Sequence, residues 1–232
     1  MINYYLDILE DAAKHKLMVN FHGCTLPRGW SRTYPHLMSM EAVYGAEQYN
    51  NSSYMTTAAA HLNSTYPFTR NIVGPMDYTP VAFTNSQHPH HTSNTHELAL
   101  SVIFESGIQH WADRPEGFYQ LSDEAKSFMS TVPVAWDDTR FIEGYPGKYI
   151  VLARRKGTTW YLAGINGADS HGKLCISLDF LQDTDYQMVL FSDGKENSQI
   201  RSQHKQVNRT DSIEIEWKAE GGFVACLKCY PN

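Results

Sequence analysis

The sequence predicts an α/β region followed by an all-β, antiparallel sandwich-like domain. Three observations carry this. Helical and strand-like runs alternate as far as about residue 130. Short apolar runs then follow, punctuated by glycine, asparagine and aspartate at intervals of roughly 8 to 12 residues. No internal repeat or low-complexity linker lies between the two parts, so the join, placed between residues 132 and 133, is expected to be packed. The expected domains are therefore residues 1–132 and 133–232.

The elements follow in order. Tyr5, Ile8, Leu9 and Ala12 recur at helical spacing, which predicts a helix over 4–13. The short apolar run 17–21 reads as a buried strand, and helix then strand across a tight turn is the rhythm of a parallel α/β fold. A polar, proline-bearing segment, 24–35, leads to a short strand at 36–40 and a helix at 52–63. A further strand is expected to end at 71–74. A helix follows over 95–104, with Thr95 near its start and Glu97 in its first turn. Residues 108–111 read as a strand and 122–129 as a helix. Beyond Pro133, strands are predicted at 149–153, 160–164, 175–178, 186–191, 212–217 and 223–227. About four strand–helix units precede residue 130, whereas a closed (β/α)8 barrel takes about 250 residues. The α/β region is either a small open sheet or the second half of a barrel.

Composition narrows the function. With 42% hydrophobic and 19% charged residues, the chain is globular rather than disordered. A net charge of -6 and the lack of any basic run exclude a nucleic-acid footprint. No apolar run approaches the roughly 20 residues of a membrane span. The start, MINYYLDILEDAAKHK, has no basic region ahead of a continuous apolar stretch, so it is not read as an export signal. Cys226 and Cys229 form a CxxC without a second pair at zinc-ribbon spacing, and on a strand they point to opposite faces. The cysteines are read as partly buried thiols.

The chemistry concentrates in RTYPHLMSMEAVYGAEQY, residues 32–49, where Glu41 and Glu47 stand among small and aromatic residues. Such a pair is a solvated face, a metal site or half of a hydrolytic centre. A carboxyl in this setting can act as a general acid or give oxygen to Ca²⁺, and glycoside hydrolysis needs two acids flanking the bond. His22 and Asp77 each stand at the carboxyl end of an expected strand, the rim at which parallel α/β folds bind ligands. The run QHPHHTSNTHE, 87–97, lacks HExxH spacing and reads as a solvated loop or as sugar-contacting imidazoles. No GxSxG elbow and no glycine-rich phosphate loop is present.

The segment LMVNFHGCTLPRGWSRTYPHLMSMEAVYGAEQY resembles the catalytic barrel of glycoside hydrolase family 97, a family of calcium-dependent α-glucosidases and α-galactosidases. The matching elements are His22-Gly23, Pro27-Arg28-Gly29, Arg32-Thr33-Tyr34-Pro35, Glu41 and Glu47. PFTRNIVGPMDYTP and THELALSVIFESGIQHWAD resemble the family's last barrel units, and the β-rich remainder its C-terminal sandwich. The resemblance implies the second half of a (β/α)8 barrel followed by a β-sandwich. It implies Glu47 as general acid/base and Glu41, with Glu47, as Ca²⁺ ligands. His22, Arg32 and Asp77 are the substrate-binding candidates. Gly23 departs from the glutamate of inverting members, which places the chain in the retaining branch with an aspartate nucleophile upstream of Met1. His36 and Glu97 replace a family asparagine and glutamine. The chain alone is then expected to be inactive, with an incomplete Ca²⁺ site. Its partners would be an α-glycoside substrate and a second chain or missing N-terminal half covering exposed barrel edges. The parent protein would be periplasmic or secreted. The alternative is a non-catalytic carbohydrate-binding or assembly fragment.

Overall fold

A computed structural model of the chain describes residues 1–85 and 87–229; the last three residues of the expected second domain lie outside these. The first region opens with helix α1 (Ile2–Lys14), which turns only Leu9 and Ala12 fully inward. Strand β1 (Val19–Phe21) then pairs in parallel with β2 (Leu37–Met40). An isolated parallel bridge, Met40 to Met76, adds a third extended segment beside β2. Met76 N donates to Glu105 O at 2.9 Å, which ties a fourth segment alongside. Helix α2 (Ser53–Thr65) and helix α3 (Asn94–Ile103) run between these segments, and α4 (Pro115–Tyr119) and α5 (Asp123–Thr131) close the region.

Two expected strands are absent as such. Residues 70–73 form a 3-10 turn, Arg70–Val73. Side chains there take over the hydrogen bonds that a ladder would make: Asn71 bonds both ways with the Glu105 backbone, at 2.8 and 2.9 Å. Arg70 donates to Met40 O, Gly74 O and Pro75 O at 2.8–2.9 Å. Residues 108–111 carry no strand pairing; Ser106 Oγ binds the Ile108 carbonyl, and Ala112 N reaches back to Pro80 O at 3.0 Å.

The second region is a six-stranded antiparallel sheet, in the order β3-β4-β5-β10-β7-β8, with a two-stranded β6-β9 layer on one face. Its strands are β3 (Asp138–Tyr145), β4 (Tyr149–Lys156), β5 (Thr159–Asn166), β6 (Gly172–Ser177), β7 (Tyr186–Asp193), β8 (Ile200–Val207), β9 (Ser212–Trp217) and β10 (Gly222–Cys229). Alternate side chains along the sheet face opposite ways. Val151, Leu162, Phe223 and Ala225 pack with Ile213, Ile215 and Trp217 of β9. Ile150, Leu152, Tyr161 and Val224 pack instead with α2, α3 and α5. The central strands, covered on both faces, are therefore continuous apolar runs, whereas β9, open on one face, alternates as SIEIEW. β3 and β8, which the apolar pattern does not predict, are the sheet's edges.

Helix α3 is the seam. Ser93 caps it by accepting from His96 N at 3.0 Å, and all ten of its residues are buried. A Cβ on Gly222 of β10 would stand 2.8 Å from His96 Cα, so this crossing requires glycine. Asp193 of β7 accepts from Ser93 Oγ at 2.5 Å, Lys218 N at 3.0 Å and Gly222 N at 3.2 Å. Burial raises the Asp193 pKa against the lowering effect of these bonds.

Candidate active site

One rim gathers Asn20 in β1 and His22 just after it, Glu41 after β2, Asp77 after the Met76 bridge, and His110 beyond the segment that holds Glu105. Glu47 sits in a 3-10 turn, Ala46–Asn50. This turn lies flat on the Asp77–Thr79 segment, because Gly45 has no side chain; a Cβ there would come within 2.4 Å of Tyr78 O. Ala46 N donates to Tyr78 O at 3.0 Å and Glu47 N to Thr79 Oγ1 at 3.3 Å. Ala42, Thr79 and Val81 hold positive φ angles of 45°, 54° and 72° beside the rim. Such strained backbone clusters at functional sites.

Glu41 is 5% exposed. Its Oε2 accepts from Gly23 N at 2.6 Å, and its Oε1 lies 3.7 Å from His22 Nδ1. Gly23 supplies that amide from a left-handed turn, φ 57°. Burial, with the Glu47 carboxyl beside it, raises the Glu41 pKa over the opposing pull of the Gly23 amide and His22. His22, Glu41 and Glu47 offer ligand atoms within 4.8 Å of one another, as do His22, Asp77 and His110. Glu41 borders a cavity of about 760 Å³. Glu47 borders a neighbouring one of about 410 Å³, with Asn50, Thr84, Asn85, Gln87 and Arg114.

Asp77 is fully buried. Its Oδ2 accepts from Asn20 Nδ2 at 2.5 Å, His110 Nδ1 at 2.6 Å and His22 Nε2 at 2.8 Å, and its Oδ1 accepts from His110 N at 3.1 Å. Burial alone would raise its pKa, but the bonds from His22, His110 and Asn20 outweigh burial and hold it below the usual carboxylate value. Its oxygens therefore face the protein, and its effect on a ligand passes through the histidines.

Of the residues singled out from sequence, the structure brings together His22, Glu41, Glu47 and Asp77. Arg32 stands apart, exposed at the end of the turn Trp30–Arg32, with no side-chain hydrogen bond or ion pair among the described residues. The histidine-rich run disperses. His90 stacks on Tyr49 with ring centroids 5.7 Å apart, His91 is exposed, and His96 is buried in the seam. No cluster of possible metal ligands forms there among the described residues. Glu97 is also buried and accepts from Thr92 Oγ1, Tyr49 OH and Ala82 N at 2.6, 3.1 and 3.3 Å. Asn20 and His110 were not anticipated. His110 lies one residue short of the end of the expected strand 108–111, so the rim rule that picked out His22 and Asp77 brings it close as well.

Known proteins resemble this chain along its length. Residues 1–43 match the family model for glycoside hydrolase 97, and residues 135–228 match the model for the glycosyl-hydrolase 97 C-terminal, oligomerisation region. A probable retaining alpha-galactosidase of Streptomyces bingchenggensis is 40% identical over 99% of this chain and 34% of its own length. The retaining alpha-galactosidase of Bacteroides thetaiotaomicron is 32% identical over 94% of this chain and 35% of its own. The chain thus spans about a third of the length of these curated relatives. Among solved structures, a beta-arabinopyranosidase superposes with a TM-score of 0.87 at 34% identity, over 96% of this chain and 36% of that one. A family 97 enzyme from Pseudoalteromonas sp. strain K8, solved in complex with acarbose, also gives 0.87, at 28% identity over 100% of this chain and 38% of that one.

Proposed function

The chain belongs to glycoside hydrolase family 97, and we propose that it is the C-terminal third of a retaining α-glycosidase acting on α-linked galactosides or glucosides. The observation that carries this is an accessible carboxyl, Glu47, held beside a buried one, Glu41, at this rim. Residues 1–132 are proposed as the second half of a (β/α)8 barrel, with 133–232 as its appended sandwich. Glu47 protonates the leaving oxygen and then, as a carboxylate, activates water in a double displacement. Asp77 is sealed by four donors and Glu41 by burial and the Gly23 amide, so the nucleophile is proposed to come from the part of the protein that this chain does not span. The parent is proposed to be exported.

Glu41 and Glu47 fit a hard cation. They are adjacent carboxylates with no lysine or arginine paired to either among the described residues, and Ca²⁺ prefers such oxygens. When bound, Ca²⁺ would supply electrostatic stabilisation to negative charge in the site. Glu41 holds its side of the site fixed through the Gly23 amide, and Glu47 remains the mobile proton carrier.

In the full-length protein, Glu47→Gln is expected to lower kcat/KM on unactivated α-galactosides about 10²- to 10⁴-fold. Glycosylation from nitrophenyl substrates, whose leaving group needs little protonation, should suffer less. Undiminished hydrolysis of both would remove Glu47 from the reaction. The 232-residue chain alone is expected not to turn over nitrophenyl α-galactoside. A second reading, a non-catalytic fragment that pairs with another chain, is favoured by the apolar side chains that α1 and the residues just before β1, Leu17 and Met18, leave in solvent.

A further inference from the structure

Two imidazoles share a single buried oxygen at this rim. Asp77 Oδ2 lies 2.8 Å from His22 Nε2 and 2.6 Å from His110 Nδ1. A carboxylate can only accept, so each of those nitrogens must carry a hydrogen. That fixes the tautomers. Neutral His22 is protonated on Nε2 and bare on Nδ1, whereas neutral His110 is protonated on Nδ1 and bare on Nε2. Asn20 Nδ2 is 3.5 Å from His110 Nδ1, but both are donors aimed at the same carboxylate oxygen at shorter range. The Asp77 Oδ1 bond from His110 N adds a second anchor, so the His110 ring is set by two contacts to one side chain. The two rings stand edge to face, with centroids 6.2 Å apart. Both reach solvent, with side chains 33% exposed for His22 and 60% for His110.

The geometry points to His110 as a second substrate-contacting histidine and to Asp77 as the positioning residue that fixes its ring with Nε2 as a hydrogen-bond acceptor for a hydroxyl of the sugar ring. The bare Nδ1 of His22 faces Glu41 Oε1 at 3.7 Å instead. This rests on the glycosidase reading above and deepens it. A pyranose offers hydroxyl donors around its edge, and a bare ring nitrogen in fixed orientation accepts from one at no reorganisation cost. Asp77 does this from a position where it touches no substrate. A metal in the His22–Asp77–His110 group is disfavoured by the same distances. The nitrogens that face Asp77 carry hydrogens there, not the lone pairs that a cation needs.

The test uses the full-length protein with ¹⁵N-labelled histidine and long-range ¹H–¹⁵N spectra, titrated with methyl α-galactoside and methyl α-glucoside in turn. His110 is expected in the Nδ1–H form and His22 in the Nε2–H form, with sugar shifting His110 Nε2. Asp77→Asn should release His110 from its fixed tautomer. His110→Ala, a change at an exposed side chain, should weaken sugar binding about tenfold or more. A His110 found as the Nε2–H tautomer overturns the inference. So does sugar that shifts His22 but not His110, or a His110→Ala chain that binds sugar as well as the wild type; either leaves the glycosidase reading standing. If neither sugar perturbs any rim histidine, the sugar-site reading falls and this inference falls with it. Zn²⁺ captured by His22 and His110 with no sugar response would overturn it in favour of a metal cluster.

Discussion

The two regions close their cores differently. In the sheet domain, both faces of the central strands β4, β5, β10 and β7 are covered, one by β6 and β9 and the other by α2, α3 and α5. Before it, α1, β1 and β2 share a small cluster built on Leu9, Leu37 and Met40. Leu17 and Met18, just ahead of β1, and Ile72, in the turn Arg70–Val73, have 59%, 70% and 69% of their surface in water. Apart from Phe141 and Tyr145 on the edge strand β3, the sheet's strands enclose their large apolar side chains, and the region that carries the candidate site leaves many of its own uncovered. The polar groups that read as functional lie in the less closed region, and their order comes from hydrogen bonds: Asp77 to three side chains, Glu41 to Gly23, and Arg70 to three carbonyls.

The sharpest way to break this contrast is to cut the closed core. Phe223 is fully buried, and its ring fills the space where a Cβ of Gly164 would be. Phe223→Ala is expected to cost about 3–5 kcal/mol in urea denaturation. A loss below about 1 kcal/mol would mean that the sheet is no better packed than the α1–β2 cluster.

The seam between the regions gives a pH-dependent effect, smaller over any one pH unit than the Phe223 loss. Burial holds the His96 pKa down at about 3 against a usual 6.5. Below about pH 6.5 the unfolded chain takes up a proton that the folded chain refuses until about pH 3. His96 therefore contributes a loss of stability on acidification of up to about 1.4 kcal/mol per pH unit across that window. Glu97 and Asp193, whose pKa values burial raises, act in the opposite sense, because the folded chain binds their protons first. Comparing His96→Gln with the wild type isolates the histidine. The variant should show the shallower fall in stability as pH drops below 6.5, and parallel curves would show that His96 does not titrate across unfolding.

The smallest effect is expected at the open surface. Met18→Ser should change stability by no more than about 0.5 kcal/mol. Its visible consequence should be reduced self-association in light scattering. A larger loss of stability would show that Met18 is part of a core after all.

What the sequence disclosed follows the same division. β4, β5 and β10 were legible because burial on both faces makes them continuous apolar runs. The edges β3 and β8 were not. IRSQHKQV is exposed at six consecutive positions, so its pairing with β7 leaves no apolar trace. The segment 71–74 misled for the opposite reason: Ile72 and Val73 look like strand core but face solvent. At the rim, His22 and Glu41 could be picked out because each follows a recognisable run. Asp77 was picked from an expected strand that is a turn, and the Met40–Met76 bridge is what brings it there. That Asp77 is sealed by Asn20, His22 and His110 depends on three segments far apart in sequence, and no local pattern records it.

Helix α3 precedes the sheet by more than thirty residues, yet it is buried on every side and touches β10 closely enough that Gly222 can carry no side chain. A crossover between related genes near residue 133 would join one parent's helix to another parent's sheet at this contact, where there is no slack to absorb a mismatch. The piece that can pass intact from one relative to another is therefore the sheet together with its helix. The natural fusion point lies upstream of Ser93, in the loop rather than at the change in composition.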